Sequence, residues 1–452
     1  MIVMKFGGSS VANGDRIRHV VEIVKAELPR KPVLVLSAMG DTTDRLLEAA
    51  AGALETGGVS VGQIAGLHIK TIQELALGPA VRNEAEALLE ELRNLLLGIS
   101  MIKELTPRTR DYLVSFGERL SVRIAAAYCK SIGVPSCALD AWDAGFISDS
   151  HFSSAELLKE SWDLIPKTLI PLADQGILPV VTGFIAKNEA GRITTLGRGG
   201  SDRSATIIAA ACKAEEAQVW KDVDGILSAD PRLVPSARPV EAVTYEEASE
   251  LAYFGAQVLH PWAMRPCMKS GTPVLVKNSY NPKAPGTRIH SGPERRSDPV
   301  LAITSRKNIT LVDILSTRML GQYGFLKEVF SDFARHGISV DMVATSEVSI
   351  SVSLDSVYDL EGLKADLTRI ASVDIKRGRA IVTIIGDVNR SSEILHRAFS
   401  VCARGGIPVQ MVSVGASKVN ISFIVQDDQA ARAVQDLHEE FFPPPPKRDS
   451  TA

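Results

Sequence analysis

Between Ile2 and about residue 280, short apolar runs alternate with amphipathic stretches, and this alternation restricts the possible folds more than any other feature of the chain. Ile2–Met4, Val33–Leu36, Ser136–Leu139 and Leu178–Thr182 each read as a buried strand, and helical spacing follows the first of them at Ile17, Val20, Val21 and Val24. Continuous apolar strands interleaved with helices predict a mostly parallel sheet covered on both faces. Such a sheet binds ligands beyond the carboxyl ends of its strands. The loops that leave the apolar runs are therefore where chemistry is expected.

The segment TTLGRGGSD (194–202) is the richest of these loops. Gly197, Gly199 and Gly200 let the backbone approach a ligand and turn its N–H groups inward, while Arg198 offers a planar fork suited to a carboxylate or phosphate. Ser201 and Asp202 open a helical run from Ser204 to Cys212, so an anion held there meets a helix N-terminus. Taken alone, the segment reads equally as a glycine-rich loop capped by Ser or Asp. Lys5-Phe6-Gly7-Gly8-Ser9-Ser10 follows the first strand and precedes the first helix. Its turn can present amides to phosphate oxygens with Lys5 as a mobile charge, although a solvated strand-end lysine reads the same way. No GxxxxGK[ST] occurs, so this is not a P-loop.

Ser37–Asp44 (SAMGDTTD) is a further strand end loaded with hydroxyls. From about Thr43 to Tyr128 the spacing is helical and most glutamates read as solvated faces, but Glu118 adjoins a glycine between apolar residues. After Trp220, the acids and bases of Lys221-Asp222-Val223-Asp224-Gly225 and Asp230-Pro231-Arg232 suit a nucleotide's ribose, phosphates and Mg²⁺. They are also ordinary turn chemistry.

Composition narrows the class. A chain of 452 residues suits two or three domains, and a net charge of −3 with both signs dispersed argues against nucleic acid or an anionic membrane as partner. No apolar run approaches the roughly 18 residues of a membrane helix, and the apolar stretch before Lys5 is too short for a signal peptide, so a cytoplasmic protein is expected. Cys129, Cys137, Cys212, Cys267 and Cys402 form no CxxC pair, and the histidines lack ligand spacing. Reduced thiols and no intrinsic metal are expected.

Residues 281–299, dense in proline and glycine, mark a domain boundary. Beyond it lies a repeat: 330–343 aligns with 399–412 at an offset of 69, and Ser349-Ile-Ser-Val aligns with Asn420-Ile-Ser-Phe at 71. Two βαβ-type modules follow, the second with two more residues in its hairpin. Only the first carries acids at its strand end and loop, Asp341 and Glu347, where the second has Gln410 at the first of these positions. They suit an amino-acid effector that brings an ammonium group, or they are solvated loop acids.

KFGGSSVA (5–12), SAMGDTTD (37–44), FGER (116–119), GRITTLGRGGSD (191–202), WKDVDGILSADPR (220–232), FGAQVLHP (254–261) and GFLKEVF with GISVDMVATSEVS resemble the motifs of the aspartate kinase family in order and spacing. The likeness runs from Met1 to Phe442. It implies an α/β amino acid kinase (carbamate kinase-like) domain at 1–290, a three-layer αβα sandwich with a mostly parallel sheet. Two ferredoxin-like βαββαβ ACT domains would follow at 300–375 and 376–442, with a disordered tail at 443–452. In this family one ACT unit is often inserted in the other, which would assign the strand near 300–305 to the last module.

The resemblance further implies that ATP, with Mg²⁺, phosphorylates the β-carboxylate of L-aspartate in the first step towards lysine, threonine and methionine. Lys5 and the amides of Gly7 and Gly8 would serve the transferring phosphoryl, with Asp202 orienting Lys5. Arg198 with Gly199, Gly200 and Ser201 would hold the substrate α-carboxylate, Glu118 its ammonium, and Thr43 and Ser9 would add hydroxyl contacts. Lys5, Gly7, Gly8, Ser37, Lys221, Asp222, Leu227, Arg232, Gln257 and Val258 match nucleotide positions. Many members carry lysine at the position of Gln257, and some carry tyrosine at that of Leu227. Met319, Phe325, Leu326, Val340, Asp341, Thr345, Ser346 and Glu347 resemble the effector site of lysine-sensitive members, with a departure at Gln322. Two acids suit lysine, with two ammonium groups, better than threonine. A homodimer or dimer of dimers through the ACT domains is implied, and no fused homoserine dehydrogenase domain. The competing readings are a kinase acting on glutamate or N-acetylglutamate, and a non-catalytic ACT sensor.

Overall fold

The computed structural model describes residues 1–254, 259–292, 296, 298–319, 323–355, 357–414 and 418–443. The chain forms two compact units, the first of 1–226, 241–245 and 258–294, the second of 227–240, 246–257 and 295–452.

The first unit is built on an eight-stranded sheet in the order Ser136–Leu139, Leu178–Thr182, Pro32–Leu36, Ile2–Phe6, Ala217–Lys221, Val274–Asn278, Thr287–His290, Ala242–Thr244. Neighbours are parallel except Val274–Asn278 against Thr287–His290. IVMKF, PVLVL and LPVVT are buried along their whole length, as strands covered on both faces must be. On one face Ile2, Met4 and Phe6 pack with Val20, Leu92, Phe116 and Leu120 of the long helices. The alternate positions, among them Lys5 in register with Val35 and Val219, point to the other face, where helix Gly200–Ala211 packs on the central strand. The result is the three-layer αβα sandwich with a mostly parallel sheet that the motifs implied.

The helical stretch after Thr43 resolves into Thr42–Glu55, Gly62–Glu74, Pro79–Ile102 and Pro107–Ser131. Proline begins the last two, where its missing N–H costs no hydrogen bond, and the Thr106 side chain caps the last by accepting from Thr109 N. A small sheet of Ile147–Ser148, Ile185–Asn188 and Ile193–Thr195 stands beside the main one. Its hairpin delivers the chain to the glycine-rich segment.

The second unit carries one antiparallel sheet in the order Met342–Thr345, Ser349–Asp355, Val300–Leu315, Ser372–Gly386, Asn420–Gln426, Met411–Val414. Its two long central strands serve both repeats. Residues 309–315 pair with 372–379, and Val312 and Ile314 share a core with Phe325, Val329 and Leu363. Residues 300–306 pair with 381–386, and Val300 and Ile303 share a core with Ala398, Val401, Val434 and Leu437. The strand near 300–305 therefore packs with the second repeat, which makes the first an insertion in it. The 375/376 boundary falls inside strand Ser372–Gly386. The hairpin connections are 346–348 and 415–419, matching the two-residue difference in offset.

Candidate active site

Strand ends and the helices Thr42–Glu55, Pro107–Ser131 and Gly200–Ala211 meet around a cavity of ≈ 470 Å³ in the first unit. Gly117 sets the position of helix Pro107–Ser131, because a Cβ there would fall 2.6 Å from the Cβ of Ala38. That approach carries Glu118, 3% exposed, to the loop after Pro32–Leu36, where its Oε1 accepts from Ala38 N at 3.1 Å. Its Oε2 is buried with no hydrogen-bond partner. Burial pushes the Glu118 carboxyl up to about 8, against the opposing pull of the Ala38 amide and the Lys5 ammonium.

Opposite lies a cation pair. Lys5 Nζ is 2.6 Å from Asp202 Oδ1, and Lys221 Nζ is 3.2 Å from Asp202 Oδ2. Burial alone would raise the Asp202 carboxyl, but the two ammonium groups outweigh it and hold the group below the usual carboxylate range. Two cations on one carboxylate leave a positive charge over at the strand ends, which favours a polyanion.

The glycine-rich segment closes the cavity. Gly197 (φ 76°) and Gly199 (φ 68°) adopt the left-handed conformation that side chains resist, and Gly200 begins helix Gly200–Ala211. A Cβ on Gly200 would lie 2.5 Å from the Phe184 ring. Arg198 is exposed beside His260, whose imidazole is held low by burial and then by the guanidinium. In the turn after the first strand, a Cβ on Gly8 would sit 2.8 Å from the carbonyls of Ala38 and Gly40, and the Gly7 position is 3.6 Å from Lys5 Nζ.

Lys5, Ser37, Thr43, Glu118, Arg198, Gly199, Gly200, Ser201 and Asp202 all line this one cavity. Gly7 and Gly8 adjoin it at the Lys5 turn, and Lys221 reaches Asp202 from behind. Ser9 is exposed, its carbonyl accepting from the Tyr280 hydroxyl, and Asp222 is exposed beyond the Ala217–Lys221 strand. Leu227 and Arg232 belong to the second unit, Leu227 bridging to Pro239 and Arg232 paired with Asp230. Gln257, Val258 and Gln322 lie outside the described residues.

The sequence reading missed Arg110, Asp111, Ser153 and Phe184, which also line the cavity together with Thr195 of the 194–202 segment. Asp111 precedes Glu118 by two helical turns on one face, a spacing that would have found it once Glu118 was placed. Phe184 holds φ 69°, which no pattern announces in a bulky residue.

The effector candidates all belong to the second unit. Met319, Phe325 and Val340 pack with the core of the first repeat, and Leu326 is exposed. The Asp341 carboxylate is taken by the Tyr253 hydroxyl at Oδ1 and by Arg306 at 3.6 Å from Oδ2. Burial raises the Asp341 carboxyl despite both partners. Thr345, Ser346 and Glu347 are exposed at the hairpin end.

All five cysteines are free, and among the described residues no three His, Cys, Asp or Glu side chains converge on a metal position. No helix among the described residues is long and apolar enough to cross a membrane.

The amino acid kinase family profile matches residues 1–278, which with the parallel sheet makes the chain a member of that family, while an ACT domain profile matches 382–441. Aspartokinase 1, chloroplastic, of Arabidopsis thaliana is 49% identical over 458 residues, covering 97% of this chain and 80% of that one. Lysine-sensitive aspartokinase 3 of Escherichia coli is 33% identical over 454 residues, covering 98% and 99%. The crystal structure of E. coli aspartokinase III in complex with aspartate and ADP superposes with a TM-score of 0.80 at 32% identity, covering 98% of this chain and 100% of that one. Its complex with lysine and aspartate gives 0.79 at 32% identity, covering 98% and 99%. The chain belongs to the aspartokinase family.

Proposed function

We propose that this chain transfers the γ-phosphoryl group of ATP to the β-carboxylate of L-aspartate, giving 4-phospho-L-aspartate and ADP. The observation that carries the reading is one cavity with a buried carboxyl whose second oxygen lacks a partner, a cation pair and a glycine cradle with an arginine. A substrate with one ammonium and two carboxylates complements all three.

In this reading Glu118 takes the α-ammonium, and Arg198 with the amides of Gly199, Gly200 and Ser201 takes the α-carboxylate. Thr43 and Ser9 supply hydroxyl contacts. A β-carboxylate oxygen attacks the γ-phosphorus, the bond to the bridging oxygen breaks, and ADP leaves with that electron pair. A carboxylate is ionised at neutral pH, so the nucleophile needs no general base. The difficulty is charge: two anions must approach, and negative charge spreads over the transferring phosphoryl. Lys5 and the Gly7 and Gly8 amides neutralise it, with Asp202 holding Lys5 in place. Ser37, Lys221, Asp222, Leu227, Arg232, Gln257 and Val258 are the proposed nucleotide contacts. Mg²⁺ would enter with ATP as part of the substrate.

Lysine is the proposed feedback inhibitor, bound by Met319, Phe325, Leu326, Val340, Asp341, Thr345, Ser346 and Glu347. The lysine complex of E. coli aspartokinase III supports that choice. The proposed domains are 1–290 and 300–375 with 376–442, and all but the first residue of the 443–452 tail lies outside the described residues; the proposed assembly is a homodimer or dimer of dimers through the ACT domains. The cytoplasm is the proposed compartment, while the Arabidopsis relative is named chloroplastic.

The test is ATP-dependent hydroxamate formation with aspartate, glutamate and N-acetylglutamate, each with and without lysine or threonine. Product with aspartate alone, suppressed by lysine, is expected. Product with glutamate or N-acetylglutamate and none with aspartate would overturn the reading.

A further inference from the structure

Asp111 is buried in the wall of the cavity and has no part in the chemistry above. Its Oδ2 accepts from Ser153 N at 2.8 Å and Thr195 N at 2.9 Å, and its Oδ1 from Thr195 Oγ1 at 2.9 Å and Ser153 Oγ at 3.3 Å. A carboxylate offers about four lone-pair sites, and four donors occupy them. No acceptor is left for a substrate proton or a metal, so Asp111 is neither a base nor a ligand.

What it does is join three segments. It stands on helix Pro107–Ser131, which carries Glu118. Thr195 ends strand Ile193–Thr195, and two residues later the chain enters the cradle at Gly197. Ser153 holds a positive φ of 70°, unusual for a residue with a side chain, and its carbonyl lies 3.3 Å from where a Cβ of Gly197 would be. Ala155 N donates to Thr195 O at 2.8 Å, so the 153–155 loop is also bonded directly to the strand beside the Asp111 contact.

We propose that Asp111 is a positioning residue that sets the separation between Glu118 and the Arg198 cradle, the span that one α-amino acid must bridge with its ammonium and α-carboxylate. This rests on the reading that those two groups hold aspartate. A charged acceptor suits the task because bonds to an anion are shorter and stronger than neutral ones, and because four of them from two segments leave the wall no freedom to drift. Asparagine has the same shape but no charge, so its bonds to the two amides and the two hydroxyls are the weaker neutral kind. The separation then relaxes while the phosphate side of the site, at Lys5 and Gly7, is untouched.

The experiment is steady-state kinetics of Asp111→Asn and Thr195→Val beside Glu118→Gln and Arg198→Lys. Asp111→Asn should raise KM for aspartate about tenfold or more, the scale of a hydrogen bond lost from a charged group, with KM for ATP unchanged. Thr195→Val, which removes one donor of four, should fall between it and the wild type. If Glu118→Gln and Arg198→Lys raise KM for aspartate but Asp111→Asn lowers only the unfolding temperature, Asp111 is structural and the inference is wrong. If Asp111→Asn does not fold, Thr195→Val decides: an unchanged KM for aspartate overturns the inference, and a selective rise supports it. If Glu118→Gln and Arg198→Lys leave KM for aspartate unchanged, the parent reading falls and the inference with it.

Discussion

Glu118 concentrates the physics of the site in one carboxyl group. Buried, with an unpartnered oxygen and a carboxyl pushed up to about 8, it is mostly protonated at neutral pH in the empty site. Only the ionised form attracts an ammonium group. Binding of aspartate must therefore expel a proton, and KM for aspartate should fall about tenfold between pH 7 and pH 9, then rise again where the substrate's own ammonium deprotonates. A pH-flat KM in the wild type would contradict the assignment, and Glu118→Gln should lose both affinity and slope. The same shift bears on stability with a definite sign. A carboxyl raised in the folded state contributes stability below its ordinary value of 4.5, and loses that contribution as pH rises through about 8. The calorimetric unfolding temperature should therefore drop from pH 6 to pH 9, and less steeply in Glu118→Gln. Lys5 and Arg198 were legible as charges in glycine-rich loops that follow apolar runs, Asp202 as the acid opening a helix after those glycines, and Glu118 as an acid beside Gly117 between apolar residues. Asp111 was not, because an acid in a helix reads as solvated until the face that meets the sheet is known.

At the scale of elements, backbone clearances decide what the side chains can reach. Helix Pro107–Ser131 passes the Ala38 loop at Gly117, where alanine would place a Cβ 2.6 Å from the Ala38 Cβ. Gly117→Ala should push the helix away, lengthen the Glu118–Ala38 hydrogen bond, raise KM for aspartate and cost about 1–3 kcal/mol of stability by overpacking. Chemical denaturation with matched kinetics would check both, and an unaffected KM would show that the clearance serves packing alone. Strand and helix alternation was legible because a parallel sheet demands wholly apolar strands. The hairpin Ile185–Thr195 was not, since strands of four and three residues carry too little pattern. Nor was the division of the stretch after Thr43, where proline and threonine at helix starts mark breaks that apolar spacing runs across.

For the whole molecule, the repeat at an offset of 69 announced two modules, but not that their long strands are shared. Periodicity shows that 300–306 is a strand; only pairing shows that its partner is 381–386. In the second unit Arg306 stands 3.6 Å from the Asp341 carboxylate, where the effector's ammonium is proposed to bind. Arg306→Ala should remove that competitor and lower the lysine concentration for half-inhibition several-fold, measured in the hydroxamate assay. A higher concentration would mean that Arg306 shapes the pocket instead. The account as a whole depends on positive charge meeting two anions at the Lys5 strand end. Its most direct test is turnover of Lys5→Ala, in which Lys221 still pairs with Asp202 and keeps that carboxylate compensated. The account predicts aspartate binding by calorimetry close to wild type, with kcat lower by about 100- to 1000-fold. Turnover retained at the wild-type rate would contradict it.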